Sequence, residues 1–120
     1  MSLKVKESKS VGAKLVAAVR RRLIGRDEAA ALTEHFRLLG DATRVRLLYA
    51  LLEAGELCVS DLSAVVDAPE TSVSHALRLL RTAGIVRARR SGRLIYYALD
   101  DAHVRTLLEV SREHVLHAST

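Results

Sequence analysis

The chain of 120 residues has no tryptophan, one phenylalanine, one proline and one cysteine, and aromatic residues make up only 3% of it. Each shortage removes a class of function. So few rings leave no stacking platform for single-stranded nucleic acid. The single cysteine, Cys58, closes no disulfide within the chain, which fits a reducing compartment and rules out an intrachain redox switch. No apolar run approaches the roughly 20 residues that span a bilayer. The opening MSLKVKESKS has no hydrophobic signal core, which argues against export. A cytoplasmic protein without membrane contact is expected. No nucleophile elbow, phosphate loop or paired carboxylates appear, so the chain does not read as an enzyme.

What is present is positive charge and periodicity. The formal net charge is +5, and for a small basic domain nucleic acid is the first candidate partner. Residues 1–9 are polar and expected to be disordered, with 1–3 readable as native sequence or as a cloning remnant. Residues 10–118 are expected to form one domain. Its organising stretch is residues 70–101, ETSVSHALRLLRTAGIVRARRSGRLIYYALDD. Thr71 or Ser72 can cap a helix there. Val73, Leu77 and Leu80 give it one apolar face, and Ser72, His75, Arg78 and Arg81 lie on the other. Gly84 suits a left-handed stop. Residues 85–90 and 93–99 alternate as strands, with Ser91-Gly92 as the tight turn. Arg87, Arg89, Arg90 and Arg93 flank that turn.

A helix with small polar and basic residues on its free face, followed by an arginine-rich hairpin, predicts a winged helix-turn-helix. The fold class is mainly α with a small β-hairpin. The helix would enter a major groove of double-stranded operator DNA, and the wing would lie along phosphates. Thr71, Ser72, Ser74, His75 and Arg78 are the base-reading candidates. Arg89, Arg90 and Arg93 are the phosphate candidates. The plainer alternative is an amphipathic helix followed by a solvated hairpin.

Earlier in the chain, residues 11–24 read as a helix ended by Gly25. Asp27 can cap a second helix, ended by Gly40. Asp41 can cap a third over residues 43–52, closed by Gly55. Residues 56–59 can add a third strand to the hairpin, and Ser60 can cap a short helix through Val66. The last helix starts at Asp100 or Asp101 and runs to about His117. Its apolar stripe and that of the first helix exceed what a winged helix needs, which suggests a homodimer. Two-fold symmetry would set two recognition helices about 34 Å apart, one turn of DNA.

Three of five histidines, His103, His114 and His117, lie in that last helix, and Asp101 precedes them. At about 100° per residue, His103 and His114 fall within about 20° of one face, yet about 16 Å apart along the axis. Zinc–nitrogen bonds are only about 2.0–2.1 Å, so one ion cannot join them within a chain. Antiparallel pairing of two copies brings Asp101 and His103 of one to His114 and His117 of the other. Three imidazoles and a carboxylate suit tetrahedral Zn²⁺. The alternative is solvated histidines whose positive charge suits a helix C-terminus.

Residues from about 28 to 117 resemble the ArsR/SmtB family of metal-responsive repressors. The resemblance lies in LGDATRVRLLYALL, ELCVSDL, SVSHALRLLRTAGIV, RSGRLIYYALDDAHV and EHVLH. It implies a dimeric winged helix that binds operator DNA when metal-free and releases it on binding metal. The family's zinc sensors use an Asp-x-His from one chain with a His, and a His or Glu three residues later, from the other. Asp101, His103, His114 and His117 match that pattern. Cys58 matches a cysteine of the family's soft-metal sensors, but it is alone, and residues 1–34 hold no Cys or His. That argues against arsenic, cadmium or lead, and against nickel sensing through an N-terminal arm. In the zinc sensors that the chain resembles, a ligand histidine, here His114, also donates to a backbone carbonyl near the position of His75. His35 is expected to be structural. Zn²⁺ is thus the expected effector, with Co²⁺, Ni²⁺ or a non-metal signal as alternatives. A zinc hydrolase would need an open coordination position, which four protein ligands leave closed.

Overall fold

Asp41 begins the helix on which the core is built. In the structure, a computed structural model describing residues 9–119, its carboxylate accepts from the Arg44 N–H at 3.0 Å. That satisfies one of the amides a helix start leaves unpaired. The chain forms two compact units, divided between Thr33 and Glu34. Among the described residues nine elements follow one another: α1 (Lys9–Arg22), α2 (Arg26–Leu39), α3 (Ala42–Ala54), β1 (Leu57–Cys58), α4 (Val59–Val66), α5 (Glu70–Thr82), β2 (Val86–Ser91), β3 (Leu94–Leu99) and α6 (Ala102–Ser119). Residues 1–8 of the expected tail lie outside the described residues, and Lys9 already belongs to α1. No described helix is long and apolar enough to cross a membrane.

The second unit is a winged helix. Its sheet runs β1-β3-β2, all antiparallel. Leu57 faces Tyr97, and Val86 faces Leu99. The core joins Leu47, Leu48 and Leu51 of α3 to Leu62 and Val66 of α4 and to Val73, Ala76, Leu77 and Leu80 of α5. Ile85, Val86 and Leu99 close it from the wing side. Each such leucine contributes roughly 1.5–3 kcal/mol relative to exposure. From α6 only Leu108 is buried in this core, with Val104 partly buried against it. The Tyr49 hydroxyl donates to the Leu108 carbonyl at 2.6 Å and ties α6 to α3.

Several boundaries differ from the sequence expectation, each for a local reason. α5 starts at Glu70, with Pro69 in the capping position and no side-chain cap, so Thr71 and Ser72 lie inside its first turn. The fixed φ of proline suits that place. The preceding turn is shaped by Asp67, in the left-handed region at φ 54°, and by the Ser63 hydroxyl, which donates to the Ala68 carbonyl. α4 begins at Val59 rather than after Ser60, and Asp27 sits in the first turn of α2. The hairpin turn is Gly92-Arg93, because Ser91 still pairs with Leu94. Gly92 has φ 63°, as a two-residue turn with glycine first requires.

Gly84, by contrast, stops α5 as expected. Its φ is 75°. The Ile85 N–H returns to the Leu80 carbonyl at 2.9 Å and the Gly84 N–H to Arg81 at 3.0 Å. This paired closure satisfies two orphan carbonyls and fixes the angle at which α5 feeds the wing.

Candidate nucleic-acid interface and metal ligands

Burying Val73, Ala76, Leu77 and Leu80 turns the opposite face of α5 outward. Thr71, Ser72, His75 and Arg78 lie on that face and are exposed, while Ser74 is half-buried at its edge. Between α5 and the wing lies a groove of about 520 Å³ lined by Ser60, Ser74, Arg78, Arg81, Arg93 and Tyr97, among others. Residues 70–93 carry six arginines and one acidic side chain, a formal excess of five positive charges along this stretch. Arg81, exposed and lining this groove, is not among the contact candidates named from the sequence. Its position three residues after Arg78, on the same free face, is the available signal.

The wing arginines are not equivalent. Arg90 and Arg93 are exposed. Arg89 forks onto Glu56, with contacts of 2.8 and 2.9 Å, and lies 5.1 Å over the Tyr96 ring. That hydrogen-bonded pairing holds the Glu56 carboxyl below its usual range and raises Arg89. Arg87 donates to the Asp100 carbonyl at 3.0 Å. Arg89 thus brings less free charge to the wing than the sequence suggests.

At the start of α6, Asp101 has two tasks. Its Oδ1 accepts from the Val104 N–H at 3.1 Å and caps the helix. Its Oδ2 stands 3.7 Å from Nδ1 of His103. The Val104 amide, then His103, hold the Asp101 carboxyl below the usual carboxylate range. His103 is 97% exposed, and His114 and His117 are also exposed on α6. Among the described residues, no three His, Cys, Asp or Glu side chains of the chain converge on one point. Cys58 is buried, with Sγ 3.3 Å from the Ser60 hydroxyl.

Residues 41–88, from the Asp41 cap into the first wing strand, match the bacterial regulatory protein, arsR family. The transcriptional repressor SmtB homolog of Synechocystis is 41% identical over 100 residues, which cover 83% of this chain and 75% of that protein. The chain belongs to the arsR family. Among solved structures, this arsR-family chain resembles the antimony-specific transcriptional repressor AntR, at TM-score 0.72 and 38% identity over 81% of this chain and 87% of that one. It also resembles a homodimeric winged helix-turn-helix DNA-binding domain from Mycobacterium bovis, at TM-score 0.64 and 27% identity over 79% and 94% of the two chains. Of two further curated relatives, each 44% identical, the chain spans 65% and 62% of the length. The arsR family is one of transcriptional regulators, and the chain is a winged-helix DNA-binding regulator rather than an enzyme.

Proposed function

We propose that the protein is a cytoplasmic, homodimeric repressor that holds operator DNA when metal-free and releases it when Zn²⁺ bridges its two C-terminal helices. The observation that carries this reading is the 3.7 Å approach of Asp101 Oδ2 to His103 Nδ1. Two donors each about 2.0–2.1 Å from one tetrahedral ion stand about 3.4 Å apart. Asp101 and His103 fit half of such a site with little movement. His114 and His117, one turn apart, supply the chemistry of the other half.

The two halves lie too far apart along α6 to meet in one chain, by about 16 Å of helical rise between His103 and His114. The face they share favours meeting across a dimer. At about 100° per residue, His103, Leu107, Val110, His114 and His117 fall within an arc of about 80°. Leu107 and Val110, which lie between the two half-sites along the helix and within that arc, are 38% and 58% exposed. An antiparallel mate would cover them and bring Asp101 and His103 to the partner's other half-site. Zn²⁺ held there supplies a rigid link between the two α6 helices. Nitrogen and oxygen donors also accept Co²⁺ or Ni²⁺. The lone buried Cys58 offers no thiolate partner for a softer element such as the antimony of AntR.

On DNA, Thr71, Ser72, Ser74, His75 and Arg78 would meet base edges, while Arg81, Arg90 and Arg93 would meet phosphates. By linkage, operator DNA must weaken zinc binding by the factor that zinc weakens DNA binding. Titrating Zn²⁺ into the apo protein on fluorescent operator DNA tests the reading. Release complete at one zinc per chain, unchanged in Cys58→Ser and abolished in His103→Ala, is expected. Operator binding indifferent to zinc would sink it.

A further inference from the structure

The net charge of the chain is not where the winged helix is. Residues 34–120 carry eleven arginines and eleven acidic side chains and are formally neutral. Residues 1–33 carry eight basic and three acidic side chains, including every lysine. All of the +5 excess therefore lies before the unit that holds the recognition helix and the wing.

Within α1 the excess has a shape. Lys9–Arg22 reads KSVGAKLVAAVRRR and contains no acidic residue. Leu15, Val16, Val19 and Leu23 fall on one side at about 100° per residue, with Lys14 and Arg21 opposite and Arg20 and Arg22 on the two borders. Lys14, Arg20, Arg21, Arg22 and Arg26 are all exposed. Stabilisation of the helix end accounts for part of this, because cations suit a C-terminal turn. It does not account for Arg26, the first residue of α2, where the helix dipole disfavours positive charge. Nor does it account for three arginines where one suffices.

We propose that Arg20, Arg21, Arg22 and Arg26 form a second DNA contact, one that grips backbone phosphates of the duplex without reading bases. The partner follows from the chemistry. Guanidinium forks match phosphate oxygens, and a DNA duplex presents them as a dense array. The inference rests on the DNA-binding reading and extends it: the winged-helix unit, formally neutral overall, supplies sequence choice and its own phosphate contacts, and the N-terminal unit adds the excess charge. Its contribution is independent of sequence and steeply sensitive to salt.

The experiment compares full-length Arg20→Gln/Arg21→Gln/Arg22→Gln with the parent on operator and on unrelated duplex, across salt concentrations. Glutamine keeps the helix propensity of arginine. Each phosphate left without its arginine flattens the slope of log affinity against log salt by about 0.9. For a dimer the slope should fall by about 2–5, equally on both duplexes, so that the ratio of operator to unrelated affinity stays put. The Arg→Lys triple variant should keep the parental slope. Should the glutamine variant not fold, Arg26→Gln alone should lower the slope by about 2 in a dimer. An Arg90→Ala/Arg93→Ala wing variant runs in parallel. If the wing variant flattens the slope and the α1 and Arg26 variants do not, this inference is wrong and the DNA reading stands. If none flattens it, both fall. If the parent binds phosphatidylserine vesicles through these arginines while the salt slope on DNA ignores them, the surface is a membrane contact and the inference is overturned.

Discussion

A mixed dimer decides whether the metal ligands act across two chains. His103→Ala and His114→Ala each remove one imidazole from a different half-site. In a homodimer of either variant, both bridging sites are damaged, and tight zinc binding should disappear. Combine the two variants and the geometry separates the damage. In a dimer with one chain of each kind, one site takes both defects. The other keeps Asp101 and His103 from one chain and His114 and His117 from its partner, and is complete. Random pairing makes half of the dimers mixed, so an equal mixture should show on the order of one tight site for every four chains. The rise that forces this result, about 16 Å between the two histidines, cannot be closed by side-chain rotation around one ion. Competition with a zinc-responsive dye reads the number of tight sites, and mass spectrometry of intact dimers confirms exchange. A mixture that binds no better than its parents, once exchange is confirmed, refutes the bridging site. Tight binding by either parent alone refutes it equally.

Other outcomes follow from single side chains. Arg90→Ala or Arg93→Ala should weaken DNA binding evenly across sequences and flatten its salt dependence by about 0.9 for each phosphate no longer gripped, as read by anisotropy at several salt concentrations. Arg89→Ala should cost less on DNA, because its guanidinium is already paired with Glu56; an equal cost would show that the pair opens on DNA. The Glu56 carboxyl is held low mainly by its hydrogen bond from Arg89. Its pairing therefore favours the folded state above the ordinary carboxylate range, and that benefit fades as pH falls through the lowered value. Carbon-detected NMR titration should find the Glu56 midpoint low in the parent and back in the ordinary range in Arg89→Ala. Gly84→Ala meets nothing within 4 Å, so its cost is the positive φ alone, about 1–2 kcal/mol in thermal or urea unfolding. An unchanged midpoint would mean that the stop of α5 tolerates another backbone conformation.

Local chemistry makes much of this legible in the sequence. Asp41, Gly55 and Gly84 announce helix ends because each acts on amides or carbonyls within a few residues of itself. The apolar spacing of Val73, Leu77 and Leu80 fixes which face of α5 is free. The misplacements are also local. Pro69 takes a capping place without the hydroxyl that sequence reasoning looks for, and the register of Ser91 on Leu94 moves the turn by one residue. Long-range pairs are beyond reach. Glu56 meets Arg89 across 33 positions, and Tyr49 meets Leu108 across 59. Neither pair has a spacing rule, so the neutralised wing arginine and the tie on α6 appear only once the chain is folded. Asp101 and His103 are legible as neighbours because they share one turn. The double use of Asp101, as cap and as candidate ligand, emerges from the fold.

The tie on α6 bears on how the two proposed sites communicate. For zinc at α6 to alter DNA binding at α5, a shift of α6 must be carried through the core. Among the handles of α6 are Leu108, 6% exposed, partly buried Val104, and the Tyr49 hydrogen bond at 2.6 Å. Burying a leucine contributes roughly 1.5–3 kcal/mol, and such a hydrogen bond about 1 kcal/mol. Coupling between two sites is typically about 1–3 kcal/mol, so the handles can carry it, with the hydrogen bond a sizeable share. Tyr49 also orients that carbonyl relative to α3, whose Leu47, Leu48 and Leu51 pack in one core with Val73, Leu77 and Leu80 of α5. Tyr49→Phe keeps the ring and removes only the hydroxyl. It should leave zinc affinity of the free dimer and DNA affinity of the apo dimer within about twofold, while the ratio of apo to zinc-loaded operator affinity falls by about fivefold, the equivalent of about 1 kcal/mol. Measuring operator affinity with and without saturating zinc, in parent and variant, gives the two ratios. Equal ratios would show that the shift is transmitted without the Tyr49 hydrogen bond, which then serves stability only.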